Sequence, residues 1–391
     1  MGWRAGAWTA RKCGCDSAER TALRIGVNAL YLIPGGVGGT EIYLRSLLGA
    51  LAEIDDSNQY VIFTNRETGA DIAPPRPHFE VAPQPVRATV RPARILWEQT
   101  GLPIAARLHR LDVLFNPGFT SPVLCPCPTV TVFHDLQHKR HPEYFRWFEL
   151  PFWRVLLWLA AHRSQRLLAV SEATKADLLR YYTLPAEKIS VVPHGVEERF
   201  FEIGRRRTAS ALEPYLLAVS TLHPHKNLDR LIRVFARFRQ SRPGFRLVIA
   251  GMRGFFAEEL ERLIAELQLD GAVELTGWVS RERLAELYAR AWAYINPTLF
   301  EGFGMPVLEA LAAGIPTACS AIEPVKSVAG QAALLFDPLS DEAMLQAIVG
   351  ITSDEGLRAR LAAEGPKRAS AFSWRAAAEQ TLAVLGKAVQ F

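Results

Sequence analysis

The chain has 391 residues, of which 49% are hydrophobic and 22% charged, with 27 glycines and 25 prolines. That content fills large cores and excludes disordered, collagen-like and low-complexity chains, and the length suits two to three domains. A net charge of +5, most of it in the first 200 residues, is compatible with an anionic lipid surface or a phosphorylated ligand but too diffuse to indicate nucleic acid.

Residues 1–22 carry Arg4, Arg11 and Lys12 but no continuous apolar run, so they read as an extension and not as a signal peptide. From Leu23 onward strands and helices alternate. Leu23–Asn28 predicts a strand, Pro34–Gly39 a glycine-rich turn, Glu41–Glu53 a helix and Tyr60–Thr64 a strand. Pro74–Pro92 has loop chemistry. Ile95–His109 predicts a helix around Pro103, Asp112–Phe115 and Thr129–Phe133 buried strands, and Glu143–Arg163 a long helix broken near Pro151. Leu167–Val170, Glu172–Tyr182 and Ile189–Val192 predict strand, helix and strand.

The second half repeats the alternation. Strands are predicted at Tyr215–Val219, Arg246–Ala250, Val273–Leu275, Trp292–Ile295 and Thr317–Cys319. Helices are predicted at Leu228–Gln240, Glu258–Leu267, Arg281–Tyr288, Pro306–Ala313, Asp341–Val349, Glu355–Arg368 and Ser373–Ala388. Short strands interleaved with helices of this length predict an α/β fold with parallel sheets, and two such series need two sheets. The periodicity breaks in Phe201–Pro214, which sets domains at 23–204 and 205–372, with 373–391 a C-terminal helix packing back toward the first.

Five cysteines occur, at positions 13, 15, 125, 127 and 319; the two C-x-C pairs do not match zinc spacing, and the low odd count suits a reducing cytoplasm. The most apolar stretch, Val155–Ala161, is far shorter than the roughly 20 residues of a membrane span. Arg146–Trp158 mixes tryptophan, phenylalanine and arginine, which suits an anionic membrane face or, equally, a buried helix.

Open parallel sheets bind ligands at the carboxyl ends of their strands, so the strand-to-helix turns are where chemistry is expected. Pro34–Thr40 supplies Gly36, Gly38 and Gly39, which let backbone N–H groups approach a phosphate at a helix N-terminus. Glu41 stands where a dinucleotide fingerprint needs its third glycine, which disfavours a nicotinamide oxidoreductase. Without a ligand this is simply a flexible loop. Glu301–Glu309 (EGFGMPVLE) places two carboxylates around a turn whose glycines free the backbone to aim N–H groups at an anion. Carboxylates there can accept paired hydroxyls of a sugar or ribose, or Glu309 can merely complement the helix dipole. Lys226, in His223–Asn227, can meet a diphosphate or stand exposed. His134 and Asp135, after a buried strand, can bind a sugar hydroxyl or hydrogen-bond locally.

Together these segments resemble the retaining glycosyltransferases of family 4, from about Leu23 to the C-terminus. The most specific element is the E-x7-E pair, Glu301 and Glu309, within EGFGMPVLEALAAGIP; the glycine turn, His134-Asp135, Val191–Val196 and Lys226-Asn227 follow in the family's order. Trp97-Glu98-Gln99, Leu114–Pro117 and His141–Phe145 resemble the mannosyl/rhamnosyl branch. The resemblance implies a GT-B fold, two facing Rossmann-like domains with a ligand cleft between them. It implies a nucleotide-sugar donor, GDP-mannose the leading candidate, and a glycan or lipid-linked glycan acceptor; peripheral contact with the inner membrane face rests on the composition of Arg146–Trp158 alone.

The same resemblance assigns roles. Gly36, Gly38 and Gly39 would bring amides near donor phosphates and acceptor. His134, with Asp135, would contact the transferred sugar, and Lys226 would neutralise the leaving diphosphate. Glu301 and Gly302, Phe303, Gly304 and Met305 would hold the hexose and β-phosphate, Glu309 the ribose, while Gly251 and Trp278 would flank the base. Two departures stand out. Where many members carry an arginine near the lysine, this chain has Thr221 and His225, and Glu323–Val328 differs from the family's run. No D-x-D motif is present, so no metal or other cofactor is expected, and leaving-group charge falls to Lys226 and helix N-termini. The competing expectations are a nucleotide-sugar epimerase or phosphorylase and a non-catalytic sugar-nucleotide-binding protein.

Overall fold

The computed structural model describes residues 22–36 and 38–390. The expected N-terminal extension, apart from Ala22, and Cys13 and Cys15 with it, lie outside the described residues.

Two all-parallel sheets form. The first contains β1 (Arg24–Asn28), β2 (Gln59–Thr64), β3 (Phe79–Pro83), β4 (Val113–Asn116), β5 (Thr129–Phe133), β6 (Arg166–Ala169) and β7 (Ile189–Val191), in the order β3-β2-β1-β4-β5-β6-β7. The second contains β8 (Glu213–Val219), β9 (Arg246–Ala250), β10 (Val273–Gly277), β11 (Ala291–Asn296), β12 (Thr317–Ser320) and β13 (Leu334–Phe336), in the order β10-β9-β8-β11-β12-β13. Helices cover both faces of each sheet, so central strands such as β4 and β5 are buried at every residue. Strand order reverses between β1 and β4, where Val27 pairs with Phe115, and between β8 and β11, where Leu216 pairs with Ala293. A crevice opens at such switch points. The loops leaving β1 and β8 carry the glycine turn and Lys226, and those leaving β5 and β11 carry His134-Asp135 and the two-glutamate segment.

Several elements differ from expectation. The proline-rich stretch 74–92 contains β3; it is an edge strand, and Pro83 is its last residue, so no ladder bond is lost inside the sheet. Helix Arg91–Leu108 runs through Pro103 as expected but starts ahead of Ile95, with Pro92 in its first turn. The helix expected over 143–163 begins only at Leu150, because Pro151 occupies its first turn, where a missing N–H costs nothing. The expected break at Phe201–Pro214 is partly helical: helix Glu198–Arg206 packs Phe200 edge-on against Tyr288, with ring centres 5.2 Å apart.

The last helix, Trp374–Val389, starts at Ser373, whose hydroxyl accepts from the Ala376 amide. It lies along helix Gly39–Ile54 of the first sheet and joins the core that contains Ile25, Val27 and Phe115. Gly195 permits this approach, since a Cβ there would stand 2.1 Å from the Trp374 amide nitrogen.

Candidate active site

A cleft of about 680 Å³ lies between the carboxyl edges of the two sheets. Each residue singled out from the sequence lines it except Gly36. The Gly36 amide is spent inside the turn on the Ile33 carbonyl, at 2.7 Å, which removes it from the expected phosphate contacts.

The cleft's backbone is shaped by glycines at two helix starts. Gly38 (φ 60°) opens helix Gly39–Ile54, and Gly304 (φ 103°) opens helix Met305–Ala312; neither has a side-chain cap, and the leading amides of Gly39 and Met305 suit an anion, while Pro306 has no N–H and the Val307 amide is spent on the Gly304 carbonyl. Glu41, in place of a third fingerprint glycine, accepts from the Gly35 amide at 2.9 Å and pairs with Arg45 at 2.9 Å, which ties the first loop down. At Gly302 the two domains meet, because a Cβ would fall 1.8 Å from the His134 carbonyl oxygen. The Ser171 and Thr174 hydroxyls donate to the Gly302 carbonyl at 2.8 and 3.3 Å.

Lys226 and Glu301 form a half-buried ion pair, Nζ to Oε1 2.7 Å. Asn227 takes the left-handed conformation (φ 56°) and donates to the carbonyls of Pro297 and Pro338 at 3.0 and 2.9 Å, which fixes the turn that aims Lys226. His225 does not supply the charge of the family's arginine. It is buried, its Nδ1 accepts from the Gln137 side-chain Nε2 at 3.1 Å, and burial drives its pKa down to about 2. Thr221 lines the cleft uncharged. Arg199 and Arg281 also line it; both pair with Glu197, at 3.3 Å and at 3.0 and 3.1 Å.

His134 is buried with Nε2 2.8 Å from the Pro117 carbonyl. A carbonyl only accepts, so Nε2 holds the proton and Nδ1 is a bare acceptor. Burial lowers its pKa to about 4, so the ring is neutral near pH 7. Asp135 reaches the cleft, but Oδ1 accepts from the Gln137 amide at 2.9 Å, and burial raises its carboxyl. Glu309 is buried in the helix that Gly304 opens; the Tyr288 hydroxyl donates to its Oε2 at 2.8 Å, and burial raises its pKa to about 7. Gly251 (φ 153°) allows β9 to pass Ser220, whose carbonyl a Cβ would meet at 2.0 Å. Trp278 stands 63% exposed at the rim, opposite Gly35 of the other domain.

Sequence reading missed His194 and Arg199. His194 sits 5.6 Å from the His134 ring, lines the cleft, and is buried with neither nitrogen bonded. Its signal was its place in the Val191–Val196 run, which carried no role. Among the described residues no group of three or more His, Cys, Asp or Glu side chains could hold a metal ion.

Comparison with known proteins agrees with this geometry. Residues 37–200 match the family model described as Glycosyltransferase Family 4, and residues 202–368 match Glycosyl transferases group 1. The chain is 31% identical over 329 residues to the MMP α-(1→4)-mannosyltransferase of Mycolicibacterium hassiacum, covering 78% of this chain and 76% of that protein. It is 28% identical over 261 residues to the O-antigen chain mannosyltransferase B of Escherichia coli, covering 65% and 68%. The solved structure of Anabaena HepE in complex with UDP-glucose superposes with a TM-score of 0.73 at 19% identity, over 93% of this chain and all of that one.

Proposed function

The chain belongs to glycosyltransferase family 4 and has the GT-B fold, and from that premise we propose that it moves a hexose, mannose first among candidates, from a nucleotide-sugar donor to a glycan or lipid-linked glycan with retention of anomeric configuration. The mannosyl assignment is supported by the two mannosyltransferase relatives, and the donor class by the UDP-glucose bound to HepE. The observation that carries the reading is the convergence of Lys226, Glu301 and Glu309 on one interdomain cleft with two uncapped helix starts.

In this reading Lys226 Nζ and the Met305 amide, at the start of helix Met305–Ala312, take the charge that develops on the departing diphosphate. Glu309 accepts the ribose hydroxyls, and the bare Nδ1 of His134 accepts from a hydroxyl of the sugar. The bond from the anomeric carbon to the diphosphate oxygen breaks. The acceptor oxygen bonds to that carbon on the same face, and its proton passes to the departing phosphate oxygen. Among the described cleft residues Asp135 Oδ1 is engaged with Gln137 and Glu301 with Lys226, which supports this same-face route over a carboxylate nucleophile. Leaving-group charge is assigned to protein groups instead of a divalent cation, a proposal that rests on the place of Lys226 in the cleft and that a chelator tests. The low, odd cysteine count supports a reducing, cytoplasmic setting.

The test is a thermal-shift panel of GDP-, UDP-, dTDP- and ADP-sugars, followed by transfer with the best ligand, with and without chelator. One donor should stabilise the protein and give chelator-insensitive, acceptor-dependent product with the donor's anomeric configuration. Stabilisation by none, or conversion of the donor without acceptor, overturns the reading.

A further inference from the structure

Helix Leu150–Arg163 is apolar on both sides. Its inner side, Leu156, Leu157, Ala160 and Ala161, is buried, with Leu157, Ala160 and Ala161 in the core around Phe133 and Tyr182. Its outer side faces solvent: Phe152 is 51% exposed, Val155 59% and Trp158 45%, and the turn before it adds Trp147 at 83% and Phe148 at 56%. At roughly 100° per residue, Trp158, Val155 and Phe152 form one strip, with exposed Arg154 along one edge and exposed Arg163 along the other. A helix whose exposed apolar strip is edged by cations suits the boundary between water and a second apolar phase, and a contiguous exposed patch marks an interaction site.

The charge around the strip states the partner's chemistry. Exposed Arg146 and Arg91 flank its start, the latter 5.6 Å over the Trp153 ring, and Lys139 lies within electrostatic reach of Arg154. Glu149, beside them, faces Arg91 at 3.9 Å and Arg146 at 4.0 Å. A second copy docked through the same strip would bring these arginines against one another. An anionic lipid surface instead satisfies every group: tryptophan at the headgroup level, phenylalanine and valine below it, arginine reaching phosphate.

We propose that the face formed by Trp147, Phe148, Phe152, Val155 and Trp158, edged by Arg146, Arg154 and Arg163, docks the protein on an anionic phospholipid surface. The segment leading to it touches the cleft side of the second domain: the His141 ring lies 5.2 Å from Phe300, and Tyr144 5.7 Å from His225, the neighbour of Lys226. Docking therefore holds the cleft beside the headgroups and selects a lipid-linked acceptor. That last step rests on the proposed function; the docking stands on the exposed face alone. Among the described residues no helix is long and apolar enough to cross a membrane.

The test is flotation of the full chain with vesicles of phosphatidylglycerol and phosphatidylcholine, against phosphatidylcholine alone. Wild type floats with the anionic vesicles and is released by salt. A Trp147→Ser, Phe148→Ser, Trp158→Ser variant and an Arg146→Glu, Arg154→Glu, Arg163→Glu variant each lose at least about tenfold in partition, while transfer to a water-soluble acceptor is unchanged. Wild type remaining in the unbound fraction, variants that bind like wild type, or a dimer that either variant dissolves would overturn the proposal. Flotation without any transfer upholds the docking and sinks the proposed function.

Discussion

Replacing Glu309 with glutamine separates what the buried carboxylate costs the fold from what it gives a ligand. Burial raises its pKa from 4.5 to about 7. At ~1.4 kcal/mol per unit, that is a penalty of ~3 kcal/mol for the ionised form. The folded chain holds the proton more tightly than the unfolded chain, so the penalty is absent below pH 4.5, grows as pH rises and is complete above pH 7. The Tyr288 hydroxyl, which donates to Oε2 at 2.8 Å, can donate equally to an amide oxygen. Glu309→Gln is therefore more stable than wild type above pH 7, by up to ~3 kcal/mol, each kcal/mol raising Tm by roughly 2–4 °C. The difference vanishes as pH falls to 4.5. Donor affinity moves the opposite way. Ribose hydroxyls favour the ionised carboxylate, so wild-type affinity rises with pH up to about 7, with proton release on binding. The variant loses a charge-assisted contact of ~1.5–3 kcal/mol, about 10–150-fold in Kd, and its affinity is flat with pH. Thermal melts and titration calorimetry on both sides of pH 7 measure the two effects. A variant that is destabilised above pH 7, or that binds donor there as wild type does, refutes the reasoning.

Three other substitutions and one truncation probe separate links. Lys226→Ala removes the cation paired with Glu301 and lowers single-turnover transfer by about 10–150-fold at unchanged circular dichroism; near-normal transfer contradicts its role. Gly302→Ala forces a Cβ to within 1.8 Å of the His134 carbonyl, so transfer is lost while each sheet stays folded, and an active variant with native donor affinity contradicts the tight apposition. His134, with its pKa held near 4 by burial, stays neutral, so His134→Gln leaves the shape of the pH–rate profile unchanged; an inflection near 6.5 that this change removes contradicts it. Deleting residues 373–391 strips Trp374, Val384 and Leu385 from the core on helix Gly39–Ile54, at roughly 1.5–3 kcal/mol per large apolar side chain, and lowers the denaturation midpoint of the first domain. An unchanged midpoint would show that the helix does not support it.

What the sequence made legible follows from how local each signal is. Helix Glu172–Tyr182 was read with its observed limits because Ser171 caps it and its pattern is local. Strand β3 was hidden because its stretch is rich in proline, and only its place at the sheet edge makes that tolerable. Strand β13 and the helix Val325–Ala329 are too short for a period to show. In the cleft, residues on glycine turns were legible because the turn chemistry is written in the chain. The spent amide of Gly36, the neutral His225 and the raised pKa of Glu309 were not, because each depends on what packs around it. His194 and Arg199 belong to the cleft only through the crossing of the two domains. The outer face of helix Leu150–Arg163 likewise became distinct from a buried one only when its exposure was seen.

A crystal structure of the chain bound to the nucleotide sugar that most raises its Tm tests the central claim directly. The β-phosphate is expected against Lys226 Nζ and the Met305 amide, with the ribose hydroxyls on Glu309. A diphosphate held elsewhere, with Glu309 still bonded to Tyr288 alone, would contradict it.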